Sequence, residues 1–197
     1  MKLNALKRTL KLSNIMYLAV FAVFVVVFVS AQPSLGITAK ELDASADAAM
    51  DRFNTHVKDA KEVVQRAEGL LILPNVKKGA LIVGGEYGRG AMRIGGKTVD
   101  YYSMISGSVG FQIGGQAKDI VIAFMTKDAL EKFRASKGWE AGVDGNVALV
   151  TLGAGESAIS AMGNDPIVAF VFDVKGLIAD ISIRGAKFNK LDKSKLE

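Results

Sequence analysis

The 197-residue sequence contains no cysteine and one histidine, and each scarcity excludes a class of protein. Without cysteine the chain has no disulfide, no thiolate metal site and no cysteine to carry a lipid. The single histidine, His56, lies beside the apolar stripe of a predicted helix, where a partly exposed side chain is the expectation. It cannot by itself supply a zinc centre, so only an all-carboxylate metal site would remain. We expect no catalytic residue, no metal and no cofactor.

A strong excess of positive charge is also absent once the first residues are set aside. The chain has 25 basic and 20 acidic residues, and four of the basic residues, but none of the acidic ones, precede residue 32. A nucleic-acid-binding domain needs a strong basic excess of its own. The near-neutral remainder therefore predicts that nucleic acid is not a partner.

Residues 1–31 have the layout of a secretory signal peptide. An unbroken apolar run covers residues 15–29, and small residues follow as far as Ala31. The run is shorter than the roughly 20 residues of a membrane-spanning helix, so we expect cleavage after Ala31. The protein would then be exported to the periplasm or another extracytoplasmic space, while an uncleaved segment would keep it membrane-associated. The positive region before the run consists of Lys2, Lys7, Arg8 and Lys11.

The domain is predicted to follow a short linker, residues 32–37, and to extend over residues 38–187. Thr38 and Glu41 have the spacing of a capping box, and apolar residues then recur at mostly helical spacing as far as Gly69. This pattern predicts one amphipathic helix over residues 39–68. We expect the helix to cover one face of a sheet, with a free membrane-binding helix as the alternative.

The rest of the sequence mostly alternates with the period of a β-strand. Tight turns such as Gly95-Gly96 join many of the segments, and residues 127–135 are a short helix. The predicted fold class is α+β, with an antiparallel, strongly curved or barrel-like sheet, a long N-terminal amphipathic helix and one short internal helix. Residues 188–197 are expected to form a charged, frayed tail. The predicted strands are 70–73, 80–86, 88–94, 99–105, 108–114, 120–125, 143–150, 167–173 and 177–184.

Glycines are unusually frequent in these predicted strands, although interior glycine weakens a strand. A strand face without side chains lets another element pack at close range, and glycine lets a strand bend as a closing sheet requires. A dinucleotide-like motif at 153–158 leaves space for only about two helical turns. The segment 106–110 lacks the first glycine of a nucleophile elbow. We therefore interpret as close-packing positions Gly84, Gly85, Gly88, Gly90, Gly107, Gly110 and Gly114.

Positive charge clusters around one predicted hairpin. Arg89 and Arg93 are separated by an even number of residues, so they share one face of a strand. The simpler interpretation is a solvated outer face. The functional one is an anionic surface of lipid headgroups, met by arginine forks and lysines. The candidate lipid-binding residues are Lys77, Lys78, Arg89, Arg93 and Lys97.

Two segments resemble the signature blocks of the SYLF-domain family. Residues 67–93, AEGLLILPNVKKGALIVGGEYGRGAMR, are similar to its "KGLLIFP" strand and "GGxYGxG" hairpin. Residues 101–125 are similar to its "YSxxGGSVGxQIGxQxxDxV" segment, with Gln116 and Asp119 in place. Ser106 departs from the pattern by replacing the first glycine of "GGS". The resemblance covers about residues 40–187.

The resemblance implies a lipid-binding domain that is not an enzyme. Eukaryotic members are actin-patch or phosphoinositide-binding proteins, and bacterial members are typically exported single-domain proteins. The chain lacks the SH3 or FYVE modules of eukaryotic relatives, so actin is not an expected partner. Lipid contacts would fall on the helix from Thr38 and on the basic cluster. We expect binding to anionic phospholipid, phosphoinositide-like lipid or a membrane surface. The alternative is a structural or protein-interaction module of the cell envelope, with an envelope protein as partner and no lipid ligand.

Overall fold

The computed structural model describes residues 37–79, 83–109, 116–150, 157–175 and 183–196. Residues 38–197 cluster as one compact unit. Several predicted features lie outside the described residues: the signal peptide, residues 32–36 of the linker, Gly110, Gly114, residues 153–156 of the dinucleotide-like motif and most of the strand at 177–184.

The N-terminal helical region consists of two helices, α1 (Ala39–His56) and α2 (Ala60–Arg66), and the prediction of one helix over 39–68 is wrong. The backbone becomes extended at Val57, and Asp59 has a left-handed φ of 65°. The break places Lys58 in a β-bridge with Ser157, a long-range contact that no local pattern encodes. The predicted capping box is present at the start of α1.

The described residues form eight strands in one curled, mostly antiparallel sheet, and the predicted α+β fold class is confirmed. The sheet order is β5-β8-β3-β2-β1-β4-β7-β6, and the pairing of β6 with β7 is parallel. The strands are β1 (Gly69–Gly79), β2 (Val83–Ile94), β3 (Lys97–Val109), β4 (Gln116–Phe124), β5 (Trp139–Glu140), β6 (Ala148–Val150), β7 (Ile167–Lys175) and β8 (Lys187–Lys190). The later helices are α3 (Lys127–Ala135), as predicted, and α4 (Ala158–Met162), followed by a 3₁₀ turn at Lys193–Lys195.

The central strands are longer than predicted. β2 runs through Tyr87 without a break, β3 continues to Val109, and β1 continues past Pro74. Pro74 and Asn75 fall where the register of β1 shifts against both neighbouring strands. Neither residue has a ladder partner there. Proline has no backbone N–H to donate, so at this position it costs the sheet no hydrogen bond.

The C-terminal segment is part of the fold, and the expectation of a frayed tail is wrong. Lys187–Lys190 pairs with β3, and Phe188 is fully buried. The backbone N–H of Ala39 donates to the carbonyl oxygen of Leu196 at 2.7 Å. One buried phenylalanine therefore decides the placement of a segment that is otherwise charged. The predicted strand at 143–150 is shorter than expected, because residues 142–144 form a turn.

The sheet has two faces with different covers. α1 packs on β1, β2 and β7, and we call that side the helix face. There Phe53 contacts the rings of Phe170 and Phe172, at centroid distances of 5.4 and 5.2 Å. The opposite side, the core face, holds the main hydrophobic cluster, which includes Phe133 of α3. The helix therefore covers a sheet face, as its apolar stripe predicts, and that stripe is buried.

Candidate functional site

The glycines of β2 and β3 have two different surroundings. A Cβ at Gly90 would overlap the carbonyl oxygen of Ile72, and one at Gly88 would lie 2.7 Å from Cγ2 of Val76. A Cβ at Gly85 would lie 3.2 Å from the carbonyl oxygen of Ser106. Gly107 faces open space, with nothing within 4 Å of such a Cβ, so close packing does not explain this glycine. Gly84 lies in β2 opposite Ser108.

An exposed row of side chains crosses the helix face. Lys77 of β1 pairs with Tyr87, Tyr87 pairs with Ile105, and Ile105 pairs with Lys187. Directly opposed residues point to the same face, and their Cβ atoms lie about 5 Å apart. Tyr87 and Ile105 are 44% and 52% exposed, unusually high values for large apolar side chains in a sheet. We call these four residues the basic row, since two exposed lysines flank two exposed apolar side chains.

Arg89 adds a third cation to the basic row. It lies two residues beyond Tyr87 on β2, so it points to the same face. Its Nε donates a hydrogen bond to the Tyr87 hydroxyl, and its Cζ lies 5.5 Å from the centre of the Tyr87 ring. These contacts hold the guanidinium next to the row.

The other predicted lipid-binding residues lie elsewhere. Arg93 shares the face of Arg89, as predicted, but α1 covers it, and its Nη2 lies 2.7 Å from Asp47 Oδ1. Only 16% of the Arg93 side chain is exposed, so its charge is neutralised beneath the helix. Lys97 begins β3 after the Gly95–Gly96 turn, far along the strands from the row. Lys78 pairs with Glu86 and points to the core face.

Of the candidate lipid-binding residues, Lys77 and Arg89 lie at this surface, and its three other residues were not among the candidates. The sequence pattern places Lys187 among the positive charges at the end of the last predicted strand, but only the pairing of β8 with β3 brings it to the row. Tyr87 and Ile105 have a signal in the sequence, since both are large apolar residues on the strand face that carries Arg89. The sequence does not show, however, that α1 leaves this part of the sheet uncovered.

A clamp of charged residues fastens α1 to the sheet beside this face. Arg52 Nε lies 2.7 Å from Asp119 Oδ2 and 3.1 Å from Asp173 Oδ2. The buried Asp119 also accepts a hydrogen bond from the backbone N–H of Asn75 at 2.8 Å. The hydrogen bond to Asp119 raises the pKa of Arg52. Asp119, a residue of the glycine-rich motif, thus anchors the helix.

Within the described ranges, no cluster of three or more histidine, aspartate or glutamate side chains could hold a metal ion. His56 is exposed, and its Nδ1 lies 2.9 Å from the Arg52 carbonyl oxygen of the same helix. Of the helices in the described part of the chain, none is both long and apolar enough to cross a membrane.

Residues 105–194 match the family model described as "Ysc84: Las17-binding protein actin regulator". These residues are similar to the SYLF family. The SYLF resemblance is thereby confirmed for this range, which contains most of the second signature segment, while the first segment, residues 67–93, lies outside it. The matched part of the SYLF domain includes Ile105 and Lys187 of the basic row and Asp119 of the clamp. The family is described by a binding partner and a regulatory role, and no catalysed reaction is named. No curated protein matches the chain.

Proposed function

We propose that this SYLF domain is a non-enzymatic module that binds anionic phospholipid membranes through the basic row and Arg89. The observation that carries the proposal is the alternation across four strands, with Tyr87 and Ile105 exposed between Lys77 and Lys187. Tyrosine is favoured at the level of lipid headgroups, and an exposed isoleucine can bury its side chain among the first acyl carbons. Lysine and arginine then meet the phosphates.

Local charge must supply the electrostatic attraction. With Met1–Ala31 removed, the chain is nearly neutral, so no long-range field draws it to a membrane. Each basic residue near an anionic surface contributes about 1 kcal/mol, which fades beyond the Debye length. Lys77 and Arg89 lie next to Tyr87, and Lys187 lies next to Ile105 with its Nζ 4.0 Å from Glu140 Oε2, which offsets part of its attraction. The three cations would thus contribute at most about 3 kcal/mol at low salt.

The Lys77→Glu/Lys187→Glu double variant tests this surface. Each reversal removes an attraction of about 1 kcal/mol to the anionic surface and adds a repulsion. We therefore expect binding to phosphatidylglycerol vesicles to weaken well over tenfold. Both side chains are exposed, so the melting temperature should stay nearly unchanged. Vesicle co-sedimentation measures the binding, using a chain that begins at Gln32 and contains the compact unit from Thr38 to Glu197.

Lys97→Glu is the matched control, because it makes the same charge change at an exposed position away from the row. It should change vesicle binding by less than about threefold. If Lys97→Glu weakened binding as much as either reversal in the row, attraction would depend on total charge and the proposed surface would be wrong.

A protein partner is the second candidate function. The family description names Las17 binding and actin regulation, which favours a protein ligand for the same exposed residues. The alternative is therefore a structural or interaction module of the envelope without a lipid. Failure of the parent chain to bind vesicles of any headgroup charge would favour this alternative.

We also propose that the protein is exported. The support is the positive, apolar and small-residue pattern of residues 1–31. Expression of the full chain should give an extracytoplasmic protein whose N-terminal sequence begins at Gln32. An N-terminus at Met1 in that fraction would show a retained membrane anchor instead.

A further inference from the structure

A cluster of charged and polar side chains lies on the core face of the sheet, in the protein interior. Lys118 Nζ lies 3.0 Å from Glu86 Oε1, and the two side chains are only 4% and 5% exposed. In the register of the sheet, Glu86 lies between Lys78 and Ser106. Ser106 is buried and Lys78 is partly exposed, so Lys78 connects the group to solvent. We call these four residues the polar cluster.

The polar cluster lies where the hydrophobic core ends. Val76, the register partner of Lys118, belongs to the hydrophobic cluster of the core face, as do Met104 and Ile120. The next rung carries Glu86 and Ser106 on the same face. A charged pair has therefore replaced the last apolar layer of the core.

The ion pair leaves hydrogen-bonding capacity unused. Among the described residues, Glu86 Oε2 is a fully buried oxygen without a hydrogen-bond partner. Lys118 Nζ has three N–H donors, and among the described residues the contact with Glu86 engages one of them. A buried ion pair is seldom more stabilising than apolar residues of the same volume, and an unpaired buried acceptor adds a cost. Stability alone therefore does not explain the pair, whereas a ligand that completes its hydrogen bonds would.

Glu86 and Lys118 occupy positions that the SYLF pattern leaves open, in "GGxYGxG" and "QxxDxV". Ser106 replaces a glycine of the pattern and adds a hydroxyl opposite Glu86. The residues that carry the SYLF resemblance thus do not specify the cluster.

We propose that the polar cluster binds a phosphate ester that carries a hydroxyl on a neighbouring carbon, as in a glycerol phosphate headgroup. Lys118 and the partly exposed Lys78 contact the phosphate, and the ligand hydroxyl donates to Glu86 Oε2. A phosphate without a hydroxyl leaves that oxygen unpaired. The cluster is separate from the basic row, and it selects the headgroup while the row supplies general attraction to the surface.

Soluble headgroups test the cluster without a membrane, using calorimetric titration of the chain from Gln32. We expect sn-glycerol 3-phosphate to bind about tenfold more tightly than methyl phosphate, because a hydrogen bond to a charged acceptor contributes about that factor. Both ligands carry the same phosphate. Equal affinities, or no binding of either ligand, would overturn the proposal whatever the result with vesicles.

A vesicle comparison then identifies the source of the headgroup. Phosphatidylglycerol and phosphatidylmethanol have the same charge and the same phosphodiester, and only the first has free hydroxyls. Tighter binding to phosphatidylglycerol would support a lipid headgroup in the cluster. Binding of sn-glycerol 3-phosphate without any binding to vesicles would instead support a free phosphate ester and contradict the proposed membrane function alone.

The Glu86→Leu/Lys118→Met double variant separates ligand binding from folding. Replacing a buried ion pair by well-packed apolar residues of similar volume is often neutral or stabilising. We expect this variant to melt at or above the parent temperature and to bind both soluble phosphates equally weakly. A folded double variant that kept the preference for sn-glycerol 3-phosphate would show that the ion pair is structural only. Ser106→Gly, which restores the family residue, should reduce the preference partly.

Discussion

Replacing Gly90 with alanine is expected to destabilise the domain by more than about 4 kcal/mol, enough to leave much of it unfolded. The added Cβ would overlap the carbonyl oxygen of Ile72 and lie 2.8 Å from its carbonyl carbon and 3.0 Å from Cα of Leu73. These atoms belong to the backbone of the central strand β1, so no side-chain rotation relieves the overlap. Urea unfolding followed by circular dichroism measures the loss.

Gly107→Ala is the matched control for this prediction. Gly107 lies on the neighbouring strand β3, and a Cβ there meets nothing within 4 Å. Its unfolding free energy should stay within about 0.5 kcal/mol of that of the parent. If Gly90→Ala unfolded at the same urea concentration as Gly107→Ala, the close approach of β1 and β2 would not be the reason for glycine at this position.

Replacing Arg52 with methionine is expected to cost about 2–3 kcal/mol of stability, because it leaves Asp119 as a buried charge with one backbone donor. Methionine keeps much of the volume, so the loss reports the charge and not a cavity. The expected cost lies below that of a fully buried pair, since the Arg52 side chain is 34% exposed. The melting temperature and urea midpoint should fall together.

Two further variants decide whether the Arg52 clamp is the cause. Lys132→Met removes a cation from the pair with Asp128, in which both side chains are more than 70% exposed. Its cost should be under about 0.5 kcal/mol. In the Arg52→Met background, Asp119→Asn should restore part of the lost stability, because it removes the unpaired charge. A cost for Arg52→Met no larger than that for Lys132→Met would contradict the clamp.

Local features of the sequence were sufficient for much of the fold. The capping box of Thr38 and Glu41, the helix over 127–135 and the Gly95–Gly96 turn are all present. Each depends on residues within one or two turns of chain, so spacing and residue type decide it. The α+β class follows from the same local signals. The SYLF resemblance likewise rests on contiguous motifs.

Tertiary contacts decided where those elements end and which residues form a surface. The helix breaks at Val57, and β1 passes Pro74 through a bulge. Phe188 draws a charged segment into the sheet, which brings Lys187 next to Ile105. A two-residue period shows that Arg89 and Arg93 share a strand face, but not which part of that face a helix covers. The Arg52 clamp and the ion pair between Asp47 and Arg93 hold α1 over Arg93. Tyr87 and Ile105 lie beyond the helix and stay exposed. Strand order and register depend on partners distant in the sequence, and for that physical reason only the folded chain determines the basic row and the polar cluster.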